Sequence, residues 1–162
     1  MSLERHHGGW VIIVSFIFSF MLAVMPLPPW AVFWRPDWVA LVLIYWCIAV
    51  PQRIGVTTGW FVGIIHDVLS DTLLGQHALT FTLIAYLSVR LHRQLRLFPW
   101  WQQSIGVFVF IAISQLPSVW IRTILGYPQE GWGVIYSATT SMILWRWVFI
   151  RLRDLRRTYR VF

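Results

Sequence analysis

The chain has 162 residues, of which 58% are hydrophobic and only 12% charged, with a mean hydropathy of +0.66 and a formal net charge of +7. A typical soluble domain carries roughly a quarter charged residues, so this chain cannot cover its own surface with polar groups and reads as an integral membrane protein. A transmembrane helix takes about 20 residues, which leaves room for about six spans with short loops and no separate soluble domain.

Charge-free runs and their breakers place spans at about 10–26, 37–51, 55–71, 77–95, 102–125 and 131–150, followed by a basic tail over 151–162. The first run, from Trp10 to Met25, is long for a signal-peptide core and has no Ala-x-Ala site. More membrane segments follow it, so it is expected to remain attached as the first helix. Pro26, Pro28 and Pro29 end that span, Pro51 precedes the third, Pro99 parts the fourth from the fifth, and Gly126, Pro128 and Gly131 form the last turn. The lone Cys47 lies inside the second run, which excludes a disulfide framework and speaks against a thiolate metal site.

All 13 basic residues are arginine, and their placement sets an orientation, because arginines beside span ends are retained on the cytoplasmic side. With the N-terminus inside, the inner side collects Arg5, Arg53, Arg90, Arg93, Arg96, Arg146, Arg151, Arg153, Arg156, Arg157 and Arg160, leaving only Arg35 and Arg122 outside. Six spans with both termini cytoplasmic satisfy this bias; five would not. The inner clusters RLHRQLR and RLRDLRRTYR face an anionic leaflet, where each arginine contributes on the order of 1 kcal/mol. Lipid contact accounts for them, docking of a cytoplasmic partner is open, and nucleic-acid binding is not expected. Trp10, Trp30, Trp34, Trp38, Trp100, Trp101, Trp132, Trp145 and Trp147 fall at or near span ends, the depth that amphipathic rings favour.

The segment IGVTTGWFVGIIHDVLSDTLLG, residues 54–75, is the most informative. Gly55, Gly59, Gly63, Asp67 and Asp71 recur every four residues and are expected to form one stripe on the third helix, while Val62 is expected to face lipid. Small residues at this spacing let a second backbone approach closely, and that backbone belongs either to this chain or to a partner. The two carboxylates near the outer end need compensation, since an ionised group at membrane depth costs several kcal/mol unless paired or hydrated. Arg35 and Arg122 are the only outer arginines, so a pair between one of them and Asp67 is expected, with Asp37 and Asp71 in the same charge network. On that pairing Asp67→Asn should be milder than Asp67→Ala or Arg122→Glu.

Other chemistry is less well supported. A proton path through His66, Asp67 and Asp71 is disfavoured because adjacent residues point about 100° apart on a helix. An intramembrane aspartyl dyad needs its carboxylates on facing helices. His6, His7, His66, His77 and His92 share no metal-ligand face, no Ser, His and Asp set converges, and neither catalytic residues nor cofactors are expected. A pocket between helices, edged by His66, Asp67, Gln115 and Arg122, is the alternative to a purely packed interior.

The order RPDWVALVLIYW, then PQRIG, then GWFVGIIHDVLSDTLLGQHALTFTLIAYL resembles the rod shape-determining MreD family over residues 35–90. The family's G-x-x-x-G-x-x-x-D followed by L-G-x-x-A falls on Gly59, Gly63, Asp67, Leu74, Gly75 and Ala78, and its RPD on Arg35, Pro36 and Asp37. The resemblance implies a non-enzymatic scaffold of the inner-membrane complex for lateral peptidoglycan synthesis. It would contact MreC directly, RodA and a class B penicillin-binding protein within the complex, and MreB indirectly. It also implies an all-α membrane fold of six transmembrane helices similar to the substrate-binding subunits of energy-coupling vitamin transporters. A small-molecule- or lipid-binding transport subunit is the alternative function.

Overall fold

The structure, a computed structural model, describes residues 8–128 and 131–161. Arg5, His6 and His7 lie outside the described residues. Six helices follow one another with no strand among the described residues: α1 (Gly9–Val24), α2 (Trp38–Ala49), α3 (Val56–Leu69), α4 (Gln76–Leu97), α5 (Trp100–Ile124) and α6 (Trp132–Thr158). Their breaks fall where proline and glycine cluster. The differences from expectation lie at the ends: the basic tail is not a separate segment but continues α6 to Thr158, and α3 stops at Leu69.

Contacts at both ends show that the helices run alternately up and down. At one end Trp10 meets Tyr159 edge to face with ring centroids 4.9 Å apart, and Arg96 donates from Nε and Nη2 to the Ile48 carbonyl at 2.9 and 2.6 Å. Arg146 lies 4.7 Å over the Trp100 ring. At the other end the Asp37 N–H donates to Ser141 Oγ at 3.0 Å, and Thr80 and Ser118 hydroxyls pair at 3.0 Å. The start of α1 and the end of α6 therefore share the end that carries most of the arginines, whereas Arg35 and Arg122 sit at the opposite one.

At the centre lies α2, with Val39, Ala40, Leu41, Leu43, Ile44, Trp46 and Cys47 all fully buried. Its 12 residues rise about 18 Å, less than a hydrocarbon core of ~30 Å, so it is an enclosed post rather than a lipid-facing span. Among the described residues α5 alone is by length and composition both long and apolar enough to cross a membrane by itself; α1, α2 and α3 are apolar but shorter. Trp145, expected at a headgroup, is instead buried, its ring centroid 5.9 Å from that of Phe149, which in turn meets Tyr45 edge to face.

The glycine stripe is consumed inside the chain. A Cβ on Gly59 would stand 2.7 Å from the Phe81 carbonyl oxygen and 2.8 Å from Ala85 Cβ, and one on Gly63 would stand 2.6 Å from both the Ala78 nitrogen and the His77 carbonyl oxygen. The α3 and α4 backbones touch because nothing larger than hydrogen separates them, the close approach that membrane helices use in place of a hydrophobic drive. Gly55 is not part of this face: it precedes the helix and has open space around it. Val62, expected to face lipid, is buried instead, and the outward positions are Phe61, Ile65 and Val68.

Gly63→Leu should therefore lower stability by about 3 kcal/mol, the upper range of overpacking, while Gly55→Ala and Phe61→Leu should stay within about 0.5 kcal/mol of the parent. Thermal melting of the detergent-purified variants checks this; a Gly63→Leu protein that melts with the parent would remove the packing role.

Candidate functional site

The site begins at the turn between α3 and α4. Gly75 ends it in a left-handed conformation (φ +100°) open to glycine but strained for other residues. As the residue that opens α4 it brings no side chain, so the first N–H groups of the helix lack a cap of their own. Asp67, 1% exposed, reaches across from α3 and supplies it. Its Oδ2 accepts from the Gly75 N–H at 2.8 Å and the Ala78 N–H at 3.3 Å. Its Oδ1 accepts from the His77 N–H at 2.9 Å and the Thr72 hydroxyl at 3.0 Å, and faces His77 Nδ1 at 2.8 Å. The carboxylate is thereby stabilised by oriented amide dipoles at a helix N-terminus and by the polar side chains around it, a setting that favours an anion.

This corrects the expected charge network. Asp67 makes its side-chain contacts with Thr72 and His77, and among the described residues neither Arg35 nor Arg122 pairs with it. Arg35 donates to the Met25 carbonyl instead. Asp37 is a structural cap: its Oδ1 accepts from the Ala40 N–H at 3.1 Å and opens α2. Asp71 leaves the stripe because α3 has already ended; it sits exposed in the turn with φ +50°.

The arginines that do not pair with Asp67 line open space. Between the outer ends of α4, α5 and α6 and the segment before α2 lies a half-open cavity of about 500 Å³, lined by Arg35, Gln76, His77, Gln115, Ser118, Arg122 and Ser137 among others. No carboxylate lines it among the described residues. A smaller lobe of about 140 Å³ shares Arg35, His77 and Ser137 and adds Asp37, His66 and Ser70. His66 stacks on His77 at 4.3 Å between centroids, and its Nδ1 lies 3.1 Å from Ser70 Oγ. Gln115 and Arg122 thus meet in the main cavity, His66 sits in the lobe, and Asp67 lies behind His77 rather than in the wall.

Sequence reasoning missed His77, which touches Asp67 on one side and the cavity on the other, and Thr72, Gln76, Ser118 and Ser137. The spacing Asp67 to Gly75 was the available signal, since a carboxylate followed by a glycine turn and a new helix is a capping arrangement folded back on itself. The described residues include no group of three or more His, Cys, Asp or Glu side chains able to hold a metal ion.

A family model described as rod shape-determining protein MreD matches residues 4–155. A curated rod shape-determining protein MreD from Haemophilus influenzae is 31% identical over 153 residues, covering 94% of each chain. No solved structure matches the chain, so the expected likeness to energy-coupling transporter subunits has no support there.

The capping geometry reverses one expectation from sequence. Both Asp67 oxygens face donors, so in Asp67→Asn the amide NH2 would point at N–H groups it cannot satisfy. Asp67→Asn should lose about 2 to 3 kcal/mol, close to the loss in Asp67→Ala, and Arg122→Gln should lose almost nothing. Chemical denaturation in detergent separates the two accounts: a mild Asp67→Asn with a damaging Arg122→Gln would restore the ion pair.

Proposed function

The chain belongs to the MreD family of rod shape-determining proteins, and on that premise we propose that it is a non-enzymatic scaffold of the inner-membrane elongation complex, receiving its partner MreC at the outer cavity. Bacterial rod shape and a membrane setting come with the family, which is not a known family of enzymes. The particular complex, with MreC in direct contact, RodA and a class B penicillin-binding protein beside it and MreB further off, is our reading of that membership.

One observation carries the docking assignment. Arg35 and Arg122 line a half-open cavity without a carboxylate in its described wall, while the small-residue stripe is already occupied by α4. An outward-facing cavity with two guanidinium groups and several amide and hydroxyl groups suits an acidic or polar segment from a partner's extracytoplasmic part, since arginine binds carboxylates through paired hydrogen bonds. The second reading, a small-molecule- or lipid-binding transport subunit, is favoured by the cavity's size, within the usual range of about 300–1,000 Å³ for ligand sites. Its open side favours the macromolecular segment, because small-ligand sites bury most of their ligand.

The orientation follows from the arginines. Six spans with both termini cytoplasmic put the Trp10–Tyr159 end inside, the Arg35 and Arg122 end outside, and the enclosed α2 in a bundle that crosses as a unit. The anionic inner leaflet then faces the arginines of α4 and α6.

Two experiments follow. Reporter fusions should be cytoplasmic-active after Gln94 and Arg160 and periplasmic-active after Asp71 and Tyr127; a periplasmic-active fusion at Arg160 overturns the topology. Arg35→Glu with Arg122→Glu should accumulate to normal levels yet reduce MreC co-purification at least about tenfold and fail to restore rod shape. A factor of that size is the ~1.4 kcal/mol that losing such contacts readily exceeds. Unchanged co-purification and shape would end the docking assignment.

A further inference from the structure

Not every arginine at the arginine-rich end closes the structure. Arg96 is spent on the Ile48 and Ala49 carbonyls, at 2.6 to 3.0 Å, and Arg146 lies over the Trp100 ring. Arg153 and Arg156, three residues apart on α6, share a helix face and border open space instead. That space is a half-open cavity of about 250 Å³, lined by Tyr45 and Ile48 of α2, Arg96 of α4, and Phe149, Arg153 and Arg156 of α6.

The polarity of this wall is one-sided. A helix C-terminus presents carbonyl oxygens that repel an anion, but the two at this edge of α2 already accept from Arg96. What remains are donors. The Arg153 Nε is buried without a hydrogen-bond partner, and neither Arg153 nor Arg156 pairs with a carboxylate among the described residues. Tyr45, only 2% exposed, belongs to the wall, and its hydroxyl has no partner among the described residues either. Phe149 holds the Tyr45 ring edge to face at 5.5 Å. The charges that bear on Tyr45 are those of Arg156, Arg153 and Arg157, against one carboxylate, Asp154, which stands exposed outside the wall. Buried donors without acceptors are costly, and a guanidinium beside a phenol is met best by oxygens that carry negative charge.

Size and charge narrow the ligand. The cavity is smaller than the ~300–1,000 Å³ of sites that enclose a whole drug-sized molecule, so it takes a head group or a small ion. Two uncommitted guanidinium groups match a phosphomonoester, which carries nearly two negative charges at neutral pH, better than a phosphodiester or carboxylate with one. We propose that this cavity is a phosphomonoester-binding site, with Arg153 and Arg156 holding the phosphoryl oxygens and Tyr45 donating to one of them. Inorganic phosphate and the head group of phosphatidic acid present that chemistry alike. The site lies at the end opposite the outer cavity and is independent of the docking assigned there.

The test uses the full chain, stripped of lipid in detergent at a pH of about 8, where the phosphomonoester is doubly charged. Native mass spectrometry compares dioleoyl phosphatidic acid with dioleoyl phosphatidylglycerol, and calorimetry measures inorganic phosphate. Phosphatidic acid should bind at least about fivefold tighter than phosphatidylglycerol, the factor that one near-surface arginine contributes, or phosphate should bind saturably. Arg153→Gln with Arg156→Gln should abolish either result, whereas Arg90→Gln, exposed on α4 and outside the wall, should keep it. Equal melting of the parent and the double variant without ligand separates lost binding from unfolding. Should melting fall, Arg156→Gln alone, at a half-buried position, should still weaken binding at least about fivefold. A lipid preference that excess phosphate does not displace makes the source a lipid head group; saturable phosphate binding makes it a soluble phosphate. Equal binding of the two lipids with no phosphate bound, or binding that survives unchanged in the arginine variants, overturns the proposal.

Discussion

The bond network between the Asp67 carboxylate and the first turn of α4 is the constraint on which the rest of the arrangement depends. A carboxylate at this depth must find compensation, and a helix that opens on glycine must find a cap. The chain answers both needs with one side chain, whose two oxygens take up three backbone N–H groups, a hydroxyl and an imidazole nitrogen. Once Asp67 is held there, the register of α4 against α3 follows, since Ala78 must lie on Gly63 and Ala85 on Gly59. The motif that reads as two glycines and an aspartate, followed by a leucine, a glycine and an alanine, is therefore a single mechanical unit. Gly59 and Gly63 give room for the approach, Asp67 sets the register, Gly75 makes the turn, and Ala78 is small enough to be touched.

Much of this architecture was legible because composition and punctuation leave few choices. The six helices, the up-and-down order and the close packing of the glycine stripe follow from charge-free runs, proline and glycine breaks and four-residue spacing. The partner of Asp67 was not legible by counting charges, because the compensation comes from backbone amides, which carry no letter in the sequence. Asp71 was drawn into the stripe by extending a helical period past the helix end. Val62 and Trp145 were turned outward wrongly for another reason: in a chain 58% hydrophobic both faces of a helix are apolar, and periodicity no longer separates lipid from interior. The same effect hid α2, which is buried all round and so has no polar face to orient it.

The two ends of the bundle have different work. At the arginine-rich end Arg96 ties the last carbonyls of α2 to α4, and Arg146 settles on Trp100, so cations are used to close the structure. At the other end Arg35 and Arg122 border space. His77 connects the structural unit to that space, since its ring touches Asp67 behind and the cavity in front.

The central claim, that Asp67 caps α4, is tested most directly by backbone amide exchange resolved to single residues in the detergent-solubilised parent chain. The account predicts that the amides of Gly75, His77 and Ala78, which precede the first intrahelical bonds of α4 or lie among its uncapped first turn, exchange as slowly as those in the helix interior. Fast exchange at these three positions beside a protected α4 interior would contradict it, because the carboxylate would then not be holding them.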